Sequence, residues 1–232
     1  MYKISIEKTI NDLKRHGYSY LPTIKDFIDL PSTFTNTIKE LDGQSYGEGL
    51  PAQLDLIDKL GLEKLIASLH IYAKLEMNFP TIDSNDRYLV SRFTDGGDTS
   101  EAYRGHFDSH LFTIVLPIKI PDPKDKNINI GELAFFPNLR KEPKSEFINI
   151  AQKILTKKHS NRAGFNNLAI KNERIVNSFN DYRPLIFMGR TTFHGNNLVD
   201  IGVGPRLSML IHLFDPSPKV GIGNLFRLIR NR

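Results

Sequence analysis

Leu111-Phe112-Thr113-Ile114-Val115-Leu116-Pro117-Ile118-Lys119-Ile120 follows directly on Gly105-His106-Phe107-Asp108-Ser109-His110. The first of these is an almost continuous apolar, β-branched run and reads as a buried strand. The second is polar and carries two histidines and a carboxylate. In a strand, side chains two apart share a face, so His106 and Asp108 point the same way. His110 has the same parity if the strand runs on.

Working outward, more strands follow. Upstream lies Arg87 to Thr94 (RYLVSRFT), closed by turn chemistry at Asp95-Gly96-Gly97-Asp98. Downstream lie Gly131 to Pro137 (GELAFFP), Pro184 to Met188 (PLIFM), Thr191 to His194, and Arg206 to Phe214 (RLSMLIHLF). The front of the chain is helical. Ile6, Ile10 and Leu13 recur at helical spacing before Gly17, and a short strand candidate follows at Tyr18 to Pro22. Ser32 can cap a helix reaching Leu41. Gly43 to Gly49 is loop, and Leu54, Ile57, Leu60, Leu65, Ile66, Leu69 and Tyr72 trace two helices broken near Gly61. The order predicts a mostly β protein with N-terminal helices. The expected fold is a double-stranded β-helix, a cupin-like jelly-roll barrel with supporting helices. We expect one domain over 1–232: helical support over 1–80, a barrel core over 85–215, and a basic tail over 216–232.

Residues 138–182 leave the strand pattern. Phe147, Ile150, Ala151, Ile154 and Leu155 mark one helix. Around it lie Lys141, Lys144, Lys153, Lys157, Lys158, Arg162, Lys171 and Arg174. This stretch reads first as a solvated excursion and, alternatively, as a lid over the barrel mouth.

Composition narrows the chemistry. The 232 residues suffice for one domain with a substantial core, at an ordinary 40% hydrophobic and 25% charged. There is no cysteine, which excludes disulfides, thiolate ligands and a Cys nucleophile. No apolar run approaches the ~20 residues of a membrane span, and no apolar signal core opens the chain, so a cytoplasmic protein is expected. The net charge of +5 is concentrated in Lys219, Arg227, Arg230 and Arg232, which leaves the body near neutral. The tail reads as solvated, or, through Leu225, Phe226, Leu228 and Ile229, as a surface contact.

His106, Asp108 and one distant histidine, His194, make a two-histidine, one-carboxylate set. That is the ligand set of a mononuclear iron(II) site with open positions. His110 could replace one ligand or orient Asp108 from behind; we read it as the latter or as structural. Zinc also accepts such ligands, so a metal hydrolase is a rival, as is a non-catalytic metal-binding barrel.

The ordered set His106-x-Asp108, His194, Arg206-x-Ser208 resembles the iron(II)- and 2-oxoglutarate-dependent dioxygenase superfamily. The resemblance covers about residues 88–214. Arg87 to Phe93 looks like the strand before the metal pair in its prolyl-hydroxylase-like branch, and Gly131 to Pro137 looks like that branch's Gly-rich strand. Phe193-His194-Gly195 and Gly204-Pro205-Arg206-Leu207-Ser208 look like the distal histidine and the carboxylate clamp. The resemblance implies iron(II), 2-oxoglutarate and O2, with succinate and CO2 released as a substrate C–H is hydroxylated. It implies that Arg206 forks the distal carboxylate of 2-oxoglutarate and that Ser208 adds a hydrogen bond, with Lys119 as a competing anchor. Asp108 favours hydroxylation over halogenation, since halogenating relatives have a small residue there.

Departures from the branches shape the substrate. His212 stands where the nucleic-acid demethylase branch has a second Arg, which argues against nucleic acid. Phe93, Glu132 and Ala134 depart from the prolyl-hydroxylase pattern, so a peptide side chain is the alternative and a small metabolite the leading expectation. Arg92, Tyr103, Arg104 and Arg190 could face the pocket and bind an anionic group, with Arg190 sharing the strand parity of His194. His110 and His212 complete the expected surroundings.

Overall fold

A computed structural model describes residues 2–99, 102–122 and 128–217. The front of the chain forms four helices: α1 (Ile6–His16), α2 (Leu30–Leu41), α3 (Pro51–Lys59) and α4 (Glu63–Leu75). Gly17 ends α1 in the left-handed region (φ 80°) and sends its N–H back to the Leu13 carbonyl. α2 starts two residues before the expected cap. Its cap is Asp29, whose carboxylate accepts the Ser32 N–H at 3.1 Å, and Pro31 fits the first turn. Gly61 (φ 57°) separates α3 from α4, as the apolar spacing predicts.

The strands are β1 (Tyr18–Tyr20), β2 (Tyr46–Glu48), β3 (Arg87–Thr94), β4 (Phe112–Lys119), β5 (Leu133–Phe136), β6 (Ile175–Asn177), β7 (Leu185–Met188), β8 (Phe193–Asn196) and β9 (Arg206–Leu213). They form two antiparallel sheets, one of six strands in the order β1-β7-β4-β9-β3-β2 and one of three in the order β6-β5-β8. β2 falls in the stretch read as loop. Its Tyr46-Gly47-Glu48 is too short and glycine-rich to show a strand pattern, and pairing with β3 makes the strand.

Strand alternation divides the large sheet into two faces. Leu207, Met209, Ile211 and Leu213 of β9 join Phe112, Ile114, Leu116 and Ile118 of β4 in one core with Leu56, Leu65, Ile66 and Leu69 of the helices. Full burial of each such side chain contributes about 1.5–3 kcal/mol. The alternate residues Arg206, Ser208, Leu210 and His212, with Thr113 and Val115, face the other way. The helices thus cover one face and leave the polar face to a cavity.

The stretch 138–182 holds α5 (Glu146–Thr156), a 3-10 turn (Lys157–His159), α6 (Arg162–Lys171) and β6. β6 pairs with β5, so the stretch returns into the small sheet. α5 is turned against its own apolar pattern. Phe147, Ile154 and Leu155 are exposed, whereas Asn149 is buried. Arg140 explains the orientation: it donates to Asn149 Oδ1 at 2.7 Å, to Gln152 Oε1 at 3.0 Å and to the Arg190 carbonyl at 2.6 Å. Among the described residues no helix is long and apolar enough to cross a membrane. Lys219, Arg227, Arg230 and Arg232, with the apolar residues between them, lie outside the described residues.

Candidate metal centre

The strand expected to carry His106 through His110 does not form. His106 makes an isolated antiparallel bridge to His194, with N···O distances of 2.9 and 3.0 Å, and a bend at Ser109 and His110 precedes β4. The bridge brings the two imidazoles together, with ring centroids 4.5 Å apart. Asp108 is fixed separately, its N–H donating to the Gly189 carbonyl at 3.0 Å. A side chain at Gly189 would meet the His110 carbonyl at 2.7 Å and Asp108 Cβ at 2.9 Å, so this crossing requires glycine.

His106, Asp108 and His194 each offer a ligand atom, and these atoms lie within 4.8 Å of one another. His106 Nδ1 faces the Arg104 carbonyl at 2.9 Å, and His194 Nδ1 faces the Thr192 carbonyl at 3.2 Å. A carbonyl only accepts, so both rings carry their hydrogen on Nδ1 when neutral. Each bare Nε2 then faces the carboxylate, at 3.4 Å from Asp108 Oδ1 for His106 and 3.7 Å from Oδ2 for His194. Burial drives the His194 imidazole down to about 3, against the pull of Asp108, so it is neutral at pH 7. Burial pushes Asp108 up, but the histidines around it outweigh this and hold it well below the usual carboxylate range. Both Nε2 atoms and the carboxylate therefore converge on one point. Three ligand atoms in this arrangement can hold a cation, and backbone-held Nδ1–H groups are the usual support of metal-binding histidines.

Behind Asp108 sits Thr113, which the sequence reading did not single out. Its hydroxyl donates to Asp108 Oδ2 at 2.5 Å and stands 3.0 Å from His212 Nδ1. Its one proton goes to the carboxylate, so it accepts from His212. Thr113 and His212 are cross-strand partners on β4 and β9, and Tyr88 is the partner of His212 on β3. His110 stacks on Tyr88 with ring centroids 6.0 Å apart and lies 5.4 Å from His212. It lines the cavity apart from the ligand cluster.

The cavity has a volume of about 300 Å³. Arg206 and Ser208 line it on the same face of β9. Arg206 is buried and donates to the Gly131 carbonyl, and among the described residues no carboxylate lies within ion-pair distance of it. Burial lowers it to about 10, which leaves it charged at neutral pH. The Ser208 hydroxyl is buried without a hydrogen-bond partner. A buried guanidinium beside an orphaned hydroxyl is a donor pair suited to a carboxylate. Lys119, the competing anchor, lines neither this cavity nor the one beside it.

Arg92 and Arg104 line the cavity, whereas Tyr103 and Arg190 do not. Tyr103 packs its ring edge against Phe165. Arg190 shares the parity of His194 but lies outside β8, and its guanidinium meets Glu142 at 2.5 Å and Glu146 at 2.6 Å. Lys153, one of the basic residues of the stretch read alternatively as a lid, reaches in from α5 and donates to Ser109 Oγ at 2.7 Å. Tyr88 was open to discovery by parity with Arg92, whereas the α5 pattern does not set Lys153 apart from the other lysines around it.

No family model and no curated protein matches the chain. Solved structures do. A Pseudomonas putida prolyl-4-hydroxylase matches with a TM-score of 0.54 at 12% identity, over 90% of this chain and 93% of that one. The non-heme, alpha-ketoglutarate-dependent carbocyclase SnoK from nogalamycin biosynthesis matches with a TM-score of 0.54 at 11% identity, over 95% and 90%. A Trichoplax adhaerens prolyl hydroxylase, solved with a hypoxia inducible factor peptide fragment, matches with a TM-score of 0.51 at 12% identity, over 90% and 89%. The chain shares the fold of these enzymes.

Proposed function

We propose that this chain is an iron(II)- and 2-oxoglutarate-dependent oxygenase that hydroxylates a C–H of a small metabolite, releasing succinate and CO2. One observation carries the reading. A single cavity holds both a two-histidine, one-carboxylate cluster and, on β9, a buried arginine beside an orphaned hydroxyl. A metal hydrolase or a non-catalytic barrel would leave Arg206 and Ser208 without a purpose. The shared fold with 2-oxoglutarate-dependent enzymes supports the same reading. It also favours taking the two sheets as halves of a double-stranded β-helix.

His106, Asp108 and His194 would hold iron(II) and leave its remaining positions open. When bound, iron with 2-oxoglutarate and O2 supplies the oxidising power that breaks a substrate C–H bond. Arg206 would fork the distal carboxylate of 2-oxoglutarate, with Ser208 donating a further hydrogen bond. Thr113 holds Asp108 in place through Oδ2 and leaves Oδ1 toward His106. Phe107, Val115, Leu133 and Leu210 line the cavity and limit water.

A peptide side chain is the second reading, favoured by the fold likeness to two prolyl hydroxylases. The test is succinate formation from 2-oxoglutarate with iron(II) and O2, across a metabolite library and proline-containing peptides. Stimulation by one class identifies the substrate, and Asp108→Ala should abolish it. Equal turnover by wild type and Asp108→Ala would sink the proposal.

A further inference from the structure

α5 departs from the rule that a surface helix buries its apolar face. Phe147, Ile154 and Leu155 are 78%, 67% and 69% exposed, and Ile148 beside them is exposed too. The opposite face is firmly attached. Asn149 and Gln152 accept from Arg140, and Lys153 donates to Ser109 at 2.7 Å. The helix is thus tied down by polar contacts with its apolar stripe turned outward. Several large apolar side chains held in water at one place mark a contact surface.

The charges around the stripe select its partner. Between Lys141 and Lys171 the sequence has seven Lys and Arg residues and only two acids, Glu142 and Glu146. Arg190 holds both acids, at 2.5 and 2.6 Å. Lys144 stands exposed before the stripe, and Lys157 and Lys158 stand exposed after it. Among the described residues no carboxylate lies within ion-pair distance of these three. A second copy of the chain, docked about a two-fold axis, would bring the same lysines against the stripe from the other side, and like charges repel. Residues 218–232 carry Lys219, Arg227, Arg230 and Arg232 and no acid, so they have the same sign. An anionic bilayer surface meets both features at once. Its headgroups attract the lysines, and its acyl boundary takes up the apolar side chains.

We propose that the outer face of α5, Phe147, Ile148, Ile154 and Leu155 with Lys144, Lys157 and Lys158, docks on an anionic membrane surface. The helix lies along that surface. Its 11 residues are too few to cross a bilayer, which takes ~20. Thr156 and Lys157, at the end of α5, line a chamber that shares His106 with the metal-site cavity, so docking sets this chamber beside the bilayer. The proposal goes beyond the oxygenase reading and is tested apart from it.

The test is co-sedimentation of the full chain with vesicles of phosphatidylcholine mixed with phosphatidylglycerol and, in parallel, of phosphatidylcholine alone. Wild type should bind the mixed vesicles, bind the neutral ones far less, and lose binding as salt rises. Phe147→Ser/Leu155→Ser should lower the partition coefficient about tenfold or more. Both side chains are exposed, so the fold survives the change. Lys144→Gln/Lys158→Gln should lower it about fivefold or more on the mixed vesicles alone. No binding by wild type, equal binding to both kinds of vesicle, or unchanged binding by the Phe147/Leu155 variant would each overturn the proposal. So would loss of binding in Arg227→Gln/Arg230→Gln with the Phe147/Leu155 variant unaffected, since the contact would then belong to residues 218–232. Light scattering covers the remaining occupant. A wild-type dimer that Phe147→Ser/Leu155→Ser converts to monomer, without vesicle binding, would assign the stripe to a second copy of the chain.

Discussion

Thr113 gives its only hydroxyl proton to Asp108 Oδ2 at 2.5 Å, from a position on β4 that places the same oxygen 3.0 Å from His212 Nδ1. The threonine is fully buried, and Asp108 and His212 are nearly so. Thr113→Val keeps the shape and removes both bonds. It leaves the His212 N–H and one carboxylate oxygen unsatisfied, which costs about 1–3 kcal/mol of stability. Asp108 also loses what orients it, and supporting groups of this kind are worth about 10–100-fold in metal affinity. Urea melts and anaerobic iron(II) titration of Thr113→Val and Thr113→Ser should show both losses in the first and near-recovery in the second. Unchanged iron affinity in Thr113→Val would remove the threonine from the site.

Ser208 makes an opposite prediction for the empty protein. Its buried hydroxyl has no partner, so Ser208→Ala removes an unsatisfied polar group and should leave the melting midpoint unchanged or raise it. If the hydroxyl serves 2-oxoglutarate, the same variant weakens co-substrate binding by about 1 kcal/mol, or roughly fivefold. Arg206→Lys loses the planar fork and should raise the 2-oxoglutarate KM by about 10–100-fold, with little effect on iron affinity. The two variants together separate a carboxylate clamp from a structural arginine. A structural Arg206 would move stability and leave the KM alone.

The fold was legible wherever a residue's neighbours repeat its message. In Arg206 to Leu213, Leu207, Met209, Ile211 and Leu213 alternate with Arg206, Ser208 and His212, Leu210 alone breaking the pattern, and the structure buries the first set against the helices and turns the other to the cavity. His106, Asp108, His194, Arg206 and Ser208 were read as one set and do meet around one cavity. What stayed hidden depends on contacts distant in sequence. Thr113 is an ordinary residue of an apolar strand until β9 brings His212 beside it. The stripe of Phe147, Ile154 and Leu155 correctly marked a helix, yet Arg140 ties down the opposite face. Arg190 followed a parity argument that fails because β8 starts only at Phe193, and two glutamates claim its charge.

That clasp can be tested alone. The Arg190 side chain is 2% exposed, against 28% for Glu142 and 17% for Glu146. Arg190→Met keeps volume and leaves both carboxylates without their cation. Burial already raises Glu142, and Arg190 is what pulls it back. Breaking a buried pair costs about 3–5 kcal/mol, but these carboxylates reach solvent, so about 2 kcal/mol is expected. Hydrogen exchange should quicken across Glu146–Thr156 more than across β9. Uniform loss of protection over the whole chain would mean that the clasp supports the core rather than the inserted helix.

Gly105 is a tight contact between the inserted segment and the metal-facing chain. A side chain there would meet the rings of Phe165 and Phe193 at 2.4 Å, while its carbonyl accepts the Ser160 hydroxyl. Phe165 is buried, and Phe193 belongs to the same strand as His194, so neither ring can swing clear. Gly105→Ala must therefore move the backbone that carries His106. Overpacking of this kind costs about 1–3 kcal/mol, and any shift of His106 also separates its Nε2 from Asp108. We expect a lower melting midpoint together with weaker iron(II) binding in Gly105→Ala. Phe165→Leu, introduced on top of it, makes room and should recover part of both. Recovery of stability without recovery of iron affinity would show that His106 is placed by its bridge to His194 alone, independently of the packing above it.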